Sequence, residues 1–314
     1  MTHKPTPAAS RAFLRPGGFA RLETPPLSES ARLRWLVGMF ARLQLRSVTA
    51  KLMAASFPLT GLAAAALLAL ANLIPQLQEL LGADRRVFVT DKIMPFLFGS
   101  NLVNVLLQTT IWVAPSVARD VQAGALLLYF SRPLRRRDYL WARVLAATAI
   151  VWFELAIAAL VVIAGQIAAF GPALDGGTAL GGWAFWLLLA LGEVLVALGV
   201  AAAIATLALG CSAVARSVNG APLLFAGVVL GSMPLAAVLA SVSGGGALWH
   251  ACDVSQALNA QHQLLMGLLS PQPFPDGLLA RAALSALVLV GLGAGAWQLL
   301  ARLLRQPPQG KGRA

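Results

Sequence analysis

Two glutamates sit where glutamates are costly. Glu154 and Glu193 interrupt long runs of Ala, Leu and Val, and each lies about ten residues, roughly 15 Å of helix, inside its run. An acidic side chain at the centre of a bilayer costs about 2.5–3.5 kcal/mol on the insertion scale, so each must be protonated, hydrogen-bonded or turned toward a wet cavity. If their helices run antiparallel, both carboxyls reach similar depth and form a polar latch, a proton site, or simply bundle-holding hydrogen bonds. A second set, Asn101, Asn104 and Gln108, recurs at i, i+3 and i+7. That spacing puts three amides on one face of one helix, as part of a substrate path, a dimer seam, or plain interhelical bonding. His250, Cys252, Asp253 and His262 are potential metal ligands, yet their spacing matches no standard zinc site. Other catalytic signatures are missing: there is no HExxH, no GxSxG (Gly210-Cys211-Ser212 lacks the second glycine) and no phosphate-cradling GxxxxGK[ST].

The elements that must carry these groups are membrane helices. Of the residues, 58% are hydrophobic and only 11% charged, and the apolar ones cluster in runs instead of alternating with polar ones. About twenty apolar residues cross roughly 30 Å of hydrocarbon, and six segments reach or nearly reach that length: 52–74, 93–114, 144–164, 183–209, 221–239 and 282–300. None shows the ten-residue alternation of an outer-membrane barrel strand, so helices must satisfy the backbone in lipid. The expected class is an all-α polytopic membrane protein.

Basic residues orient it. With the amino terminus inside, residues 1–51 hold nine Lys and Arg, 115–143 hold six, position 216 one and 301–314 four. The external stretches then hold four of the twenty-four, namely Arg85, Arg86, Lys92 and Arg281. Short cytoplasmic loops carry such an excess, so both termini are expected in the cytoplasm. The net charge of +12 is explained by this topology and by anionic lipid headgroups, without nucleic acid. Cys211 and Cys252 fall on opposite sides and are not expected to pair.

Outside the spans, residues 1–28 read as a disordered, basic, Pro-rich tail with no apolar signal-peptide core. Residues 29–51, capped at Ser28 or Ser30, read as an interfacial amphipathic helix, with Leu33, Leu36, Phe40 and Leu43 on one side and Arg34, Arg42 and Arg46 on the other. A cytosolic helix packed on another subunit is the alternative. Residues 52–304 form the transmembrane domain, and 305–314 a cytoplasmic tail. Within the loop 115–143, the pattern predicts a helix over 117–130 that Ser131-Arg132-Pro133 breaks. Its apolar trio of Leu126, Leu127 and Phe130 needs cover from a partner protein or from the chain's own helix ends. The segment 240–281 is too long for a turn, and 248–269 reads as one or two short helices. Gly227/Gly231 and Gly291/Gly295 match GxxxG, a pattern that chance explains in so glycine-rich a chain.

The loop carries a resemblance. Ala118-Arg119-Asp120, Gly124, Ser131-Arg132-Pro133-Leu134, Arg137, Tyr139-Leu140 and Arg143 resemble the pattern of ABC-2-type membrane subunits of ATP-binding-cassette transporters. Asp120 stands where that family usually has Glu, Ala125 where Thr is common, and Arg143 where Lys is usual. The amphipathic helix, the six spans and the long external segment extend the likeness from about residue 30 onward.

The resemblance implies a permease half, most simply of an exporter in a bacterial inner membrane. A separate ATPase subunit would bind ATP and magnesium, while this chain holds no cofactor and is not itself an enzyme. It implies an ATPase-coupling loop containing Arg119, Asp120, Gly124, Phe130, Pro133, Arg135 and Arg137, a second identical or related membrane subunit, and a re-entrant external gate within 240–281. Two other classes compete: an ion-coupled secondary transporter, or a membrane-embedded enzyme, either one using Glu154 and Glu193. Cargo is not readable from the sequence.

Overall fold

The computed structural model describes residues 28–73, 89–126, 135–171, 179–215, 217–242, 249, 251–270 and 277–305, and every regular element among them is helical. In chain order these are α1 (Glu29–Gln44), α2 (Val48–Leu73), α3 (Met94–Gln108), α4 (Ser116–Gln122), α5 (Arg136–Phe170), α6 (Ala179–Ala215), α7 (Gly220–Val242), α8 (Val254–Leu269) and α9 (Leu278–Arg305). Two π turns, Val89–Ile93 and Thr109–Val113, flank α3. Six stretches are long and apolar enough to cross a membrane, within 48–67, 89–122, 136–169, 181–215, 220–242 and 278–302. The chain is therefore an all-α, multi-pass membrane protein.

The centre of the bundle is α5. At 35 residues it runs about 52 Å, well beyond the hydrocarbon core, and its alanines 142, 146, 147 and 158 are fully buried. Small residues let its neighbours close in. A Cβ at Gly61 on α2 would lie 2.7 Å from the Ala158 carbonyl oxygen, and one at Gly165 on α5 would lie 2.5 Å from the Ala65 Cβ. On the far side, α6 packs along α5, and Gly210 brings α9 in at Ala296. The GxxxG glycines at 227, 231, 291 and 295 face open space. The outer surface is apolar, with Leu223, Leu230, Leu287 and Val290 all exposed, as suits a hydrocarbon solvent.

Several boundaries differ from those read in the sequence. Ser28 caps α1 by accepting from the Ala31 N–H, but the helix stops at Gln44 and the first span starts at Val48, so 29–51 is a helix, a turn and the beginning of another helix. Leu36 and Phe40 are buried against protein, chiefly α5, whereas Trp35 and Leu43 are exposed. The third span starts at Arg136 rather than Val144: nothing in Arg136–Arg143 opposes helix, and a charged helix end projects beyond the lipid at no cost. The helix expected over 117–130 is interrupted: α4 ends at Gln122, Ala123 and Gly124 form a turn, helix resumes at 125–126, and 127–130 lie outside the described residues. Gly124 adopts φ +66°, its N–H bonds the Val121 carbonyl at 3.2 Å, and this left-handed glycine terminates the helix. Leu127, Phe130 and Pro133 lie outside the described residues, as do the tail 1–27 and residues 306–314.

Candidate functional site

The short helix α4 follows Pro115, whose fixed φ suits a helix start. Its apolar face of Val117 and Ala118 packs on α6, where the Ala118 N–H donates to Ser212 Oγ at 2.9 Å. A first-turn amide has no acceptor within its own helix, so Ser212 supplies one from outside. Arg119 is exposed on the far side. Asp120 turns inward, accepting from the Tyr139 hydroxyl at 2.6 Å and pairing with the Arg143 guanidinium. Arg143 is 5% exposed, and its guanidinium lies 3.8 Å over the Phe40 ring, a cation–π contact strengthened by exclusion of water. Phe40 meets Tyr139 edge to face at 5.7 Å.

One cation thus joins α1, α4 and α5. Around it, Arg135 pairs with Glu29 at 2.8 Å and Arg32 with Asp138 at 3.4 Å. The first of these is solvent-exposed and worth little alone. Arg137 is exposed beside Asp138.

In the spans, the amide row of α3 faces α2. Asn101 Oδ1 accepts from Thr60 Oγ1 at 3.1 Å, and Asn104 Nδ2 donates to Ser56 Oγ at 2.9 Å. With the Gln108 amide assigned to satisfy its partners, its nitrogen donates to the Glu154 carboxylate at 2.7 Å and its oxygen accepts from the Ala54 N–H at 3.2 Å. The two glutamates are not partners. Glu154 belongs to the α3–α5 contact, and Glu193 on α6 bonds His262 Nε2 on α8 at 2.8 Å.

That second pair is a clasp. His262 and Glu193 are 1% and 3% exposed, and the imidazole stacks on Phe98 of α3 with centroids 4.2 Å apart. At the start of α8, Asp253 caps the helix by accepting from Ser255 N and Gln256 N, and the Val254 N–H donates to Ser232 Oγ on α7 at 3.0 Å. Two of the four potential metal ligands thereby have other partners, and no group of three or more His, Cys, Asp and Glu gathers among the described residues.

A clustered loop helix, an amphipathic α1 and a pinned helix before the last span surround six apolar helices, and a family model described as ABC-2 family transporter protein matches residues 109–292. The chain belongs to the ABC-2 transporter family. No curated protein matches it. This ABC-2 chain is a membrane subunit of an ABC transporter, and such subunits generally work with an ATPase partner. The match takes in α4 through most of α9, so Asp120, Tyr139 and Arg143 of the ionic cluster and the Glu193–His262 pair fall inside the family's region, while Phe40 on α1 and Phe98 on α3 lie before it. Membership weighs against the ion-coupled carrier and the embedded enzyme.

Several residues of this permease's clusters escape a reading of the sequence. There, Phe40 is one of four stripe residues and Tyr139 is motif filler, yet both shield Arg143. Gln44 does carry a signal, because it follows Leu36 and Phe40 at i+4 and puts a polar group where the apolar face should continue. His262 stands out only as a potential metal ligand; its partner 69 residues away has no local signature.

Proposed function

We propose that this chain is half of the membrane domain of an ATP-driven exporter in a bacterial inner membrane, with both termini in the cytoplasm. A separate ATPase subunit, binding ATP and magnesium, docks on the α4 loop through Arg119, Gly124, Phe130, Pro133, Arg135 and Arg137. Asp120 does not face the ATPase; it passes the load inward. The observation that carries this reading is the Asp120–Arg143–Tyr139–Phe40 cluster. Its buried charges are costly to separate, so α4, α1 and the head of α5 move as one piece, and α5 packs along both α2 and α6. A push on a seven-residue helix thereby reaches the centre of the bundle.

Two such subunits, identical or related, enclose the cargo path; the row Asn101, Asn104 and Gln108 bonds α2 and α5 within one subunit, which supports a bundle-holding role over a path or seam. The segment from α7 to α9, with α8 at its centre, serves as the outer gate. Nucleotide chemistry belongs to the partner, since the sequence contains no phosphate-cradling loop.

A photo-cross-linking residue at Arg119 or Gln122 in the full chain tests the docking. Capture of an ATPase subunit, and loss of its association in Arg119→Glu, is the expected result. Failure to capture any ATPase from cells that carry out transport overturns the reading, as does labelling of Arg137→Cys from the external side.

A further inference from the structure

The helix α8 carries a row of amides that neither the clasp nor ATPase coupling uses. Gln256, Asn259 and Gln263 recur at i, i+3 and i+7, a spacing that puts them on one face. Gln256 is exposed and the other two are half-buried, and among the described residues none of the three side chains has a hydrogen-bonding partner. The opposite face is occupied: Leu258 is fully buried, and Leu265 fills the room that Gly192 leaves on α6. Residues two apart on a helix point nearly opposite ways, so Gln256 and Gln263 turn away from α6.

Depth makes this row costly. The Val254 N–H at the start of α8 bonds Ser232, which lies midway along α7, twelve residues after Gly220 and ten before Val242. Toward its other end, Met266 packs in a cluster with Val89, Met94 and Trp186, all near the opposite ends of their spans from the α4 loop. In 16 residues, about 24 Å, α8 therefore climbs from mid-bilayer to the outer surface. Amides facing hydrocarbon over that depth would go unbonded.

We propose that the amide face of α8 is a seam against α8 of a second copy of this chain, a proposal that rests on the topology and the two-subunit reading above. Two identical subunits with one orientation in the bilayer are related by a two-fold axis along its normal, and such an interface is self-complementary. Both copies of α8 then rise together and residues of equal height meet, Asn259 with Asn259. An amide is donor and acceptor at once, so it pairs with its own copy as a carboxylate or an ammonium cannot. No charged residue occurs from Val254 to Leu269, and nothing on the face repels its twin. The amides also run in single file, with half-buried Leu264 and exposed Leu268 to one side. Amides spaced through an apolar surface are the pattern by which membrane helices associate, whereas a wall wetted by a cargo path would be polar more broadly. The seam closes the outer half of the path, and the Glu193–His262 bond holds α8 in place behind it.

The test places single cysteines in the full chain, with Cys211→Ala and Cys252→Ala, in native membranes, and oxidises them with iodine, which enters lipid. Asn259→Cys should give the most disulfide-linked dimer, Gln256→Cys and Gln263→Cys less, and Leu188→Cys, exposed on α6, none. Asn259→Leu takes no hydrogen bond from its own subunit, so it should lower the dimer fraction in detergent several-fold while leaving the unfolding midpoint of the single chain unchanged; Asn259→Gln should keep the dimer. Native mass spectrometry counts the subunits. Dimers whose α8 cysteines cross-link no better than Leu188→Cys overturn the seam and leave the two-subunit reading standing. Modification of those cysteines in the dimer by a charged, membrane-impermeant thiol reagent also overturns it, because the face then lines a wet path. Assemblies holding one copy of this chain overturn the seam, and the two-subunit reading falls with it only where no related membrane subunit is counted beside that copy.

Discussion

The Arg143 cluster and the Glu193–His262 clasp solve the same problem by different means. Each fastens a helix too short or too polar to span the membrane, α4 or α8, onto one of the two longest spans, α5 or α6. At α4 the fastener is a guanidinium, charged at every accessible pH, with a carboxylate, a phenol and a ring face around it. At α8 it is one hydrogen bond between an imidazole and a carboxylate, with an aromatic ring stacked behind and the second imidazole nitrogen unpartnered. The difference teaches how each junction is built: one buried cation gathers α1, α4 and α5 at a single point, whereas α8 is held by bonds spread over three neighbours, to Glu193 on α6, Ser232 on α7 and the Ala282 carbonyl on α9.

The comparison breaks most visibly at Arg143. Arg143→Ala strands the Asp120 carboxylate and exposes one face of Phe40, and losing one partner of a buried ion pair costs about 3–5 kcal/mol. Thermal unfolding of the purified chain should show a drop of the order of 10 °C, with loss of ATPase-coupled transport. If Asp120→Ala combined with Arg143→Met restores stability but not transport, the cluster serves transmission as well as folding. The clasp should give less. His262→Ala leaves Glu193 buried without its partner, at about 1–3 kcal/mol, and chemical unfolding measures it. The telling readout is accessibility of cysteines placed along α8, which should rise in His262→Ala and stay low in Arg143→Ala.

Tyr139→Phe sharpens the picture by removing one bond of several. With the Arg143–Asp120 pair intact, a loss of about 1 kcal/mol is expected, and transport should persist. The smallest effect is expected at Asn104→Leu, which removes the bond to Ser56 between two spans; interhelical hydrogen bonds in membranes average about 0.6 kcal/mol. A loss there as large as that at Arg143 would show that the amide row, and not the Arg143 cluster, organises the bundle.

Much of the architecture is legible in the order of the residues alone. Six apolar runs of spanning length announce six helices because lipid leaves the backbone no alternative, and Ser28 at the head of an amphipathic stretch marks the start of α1. The boundaries are less legible where composition changes without structure changing. Arg136 to Arg143 reads as loop because it is charged, but it is the first two turns of α5. Gly124 is a natural helix terminator, and the apolar pattern running through it hides that role. The glycine pairs that match a motif meet nothing, whereas Gly61 and Gly165, which match none, make the closest approach of α2 and α5.

The sequence by itself determined that this chain lives in a membrane and how many helices it threads through, because burial in lipid is decided residue by residue over a window of about twenty, and it marked the loop whose residue pattern resembles the ABC-2 family. Only the tertiary structure decided partnership. Asp120, expected in an ATPase-coupling loop, turns inward, and Glu154 and Glu193, expected at similar depth, find Gln108 and His262 instead of each other. Hydrogen bonds and ion pairs are chosen by geometry at about 3 Å between segments dozens of residues apart, and a single sequence contains no measure of that distance.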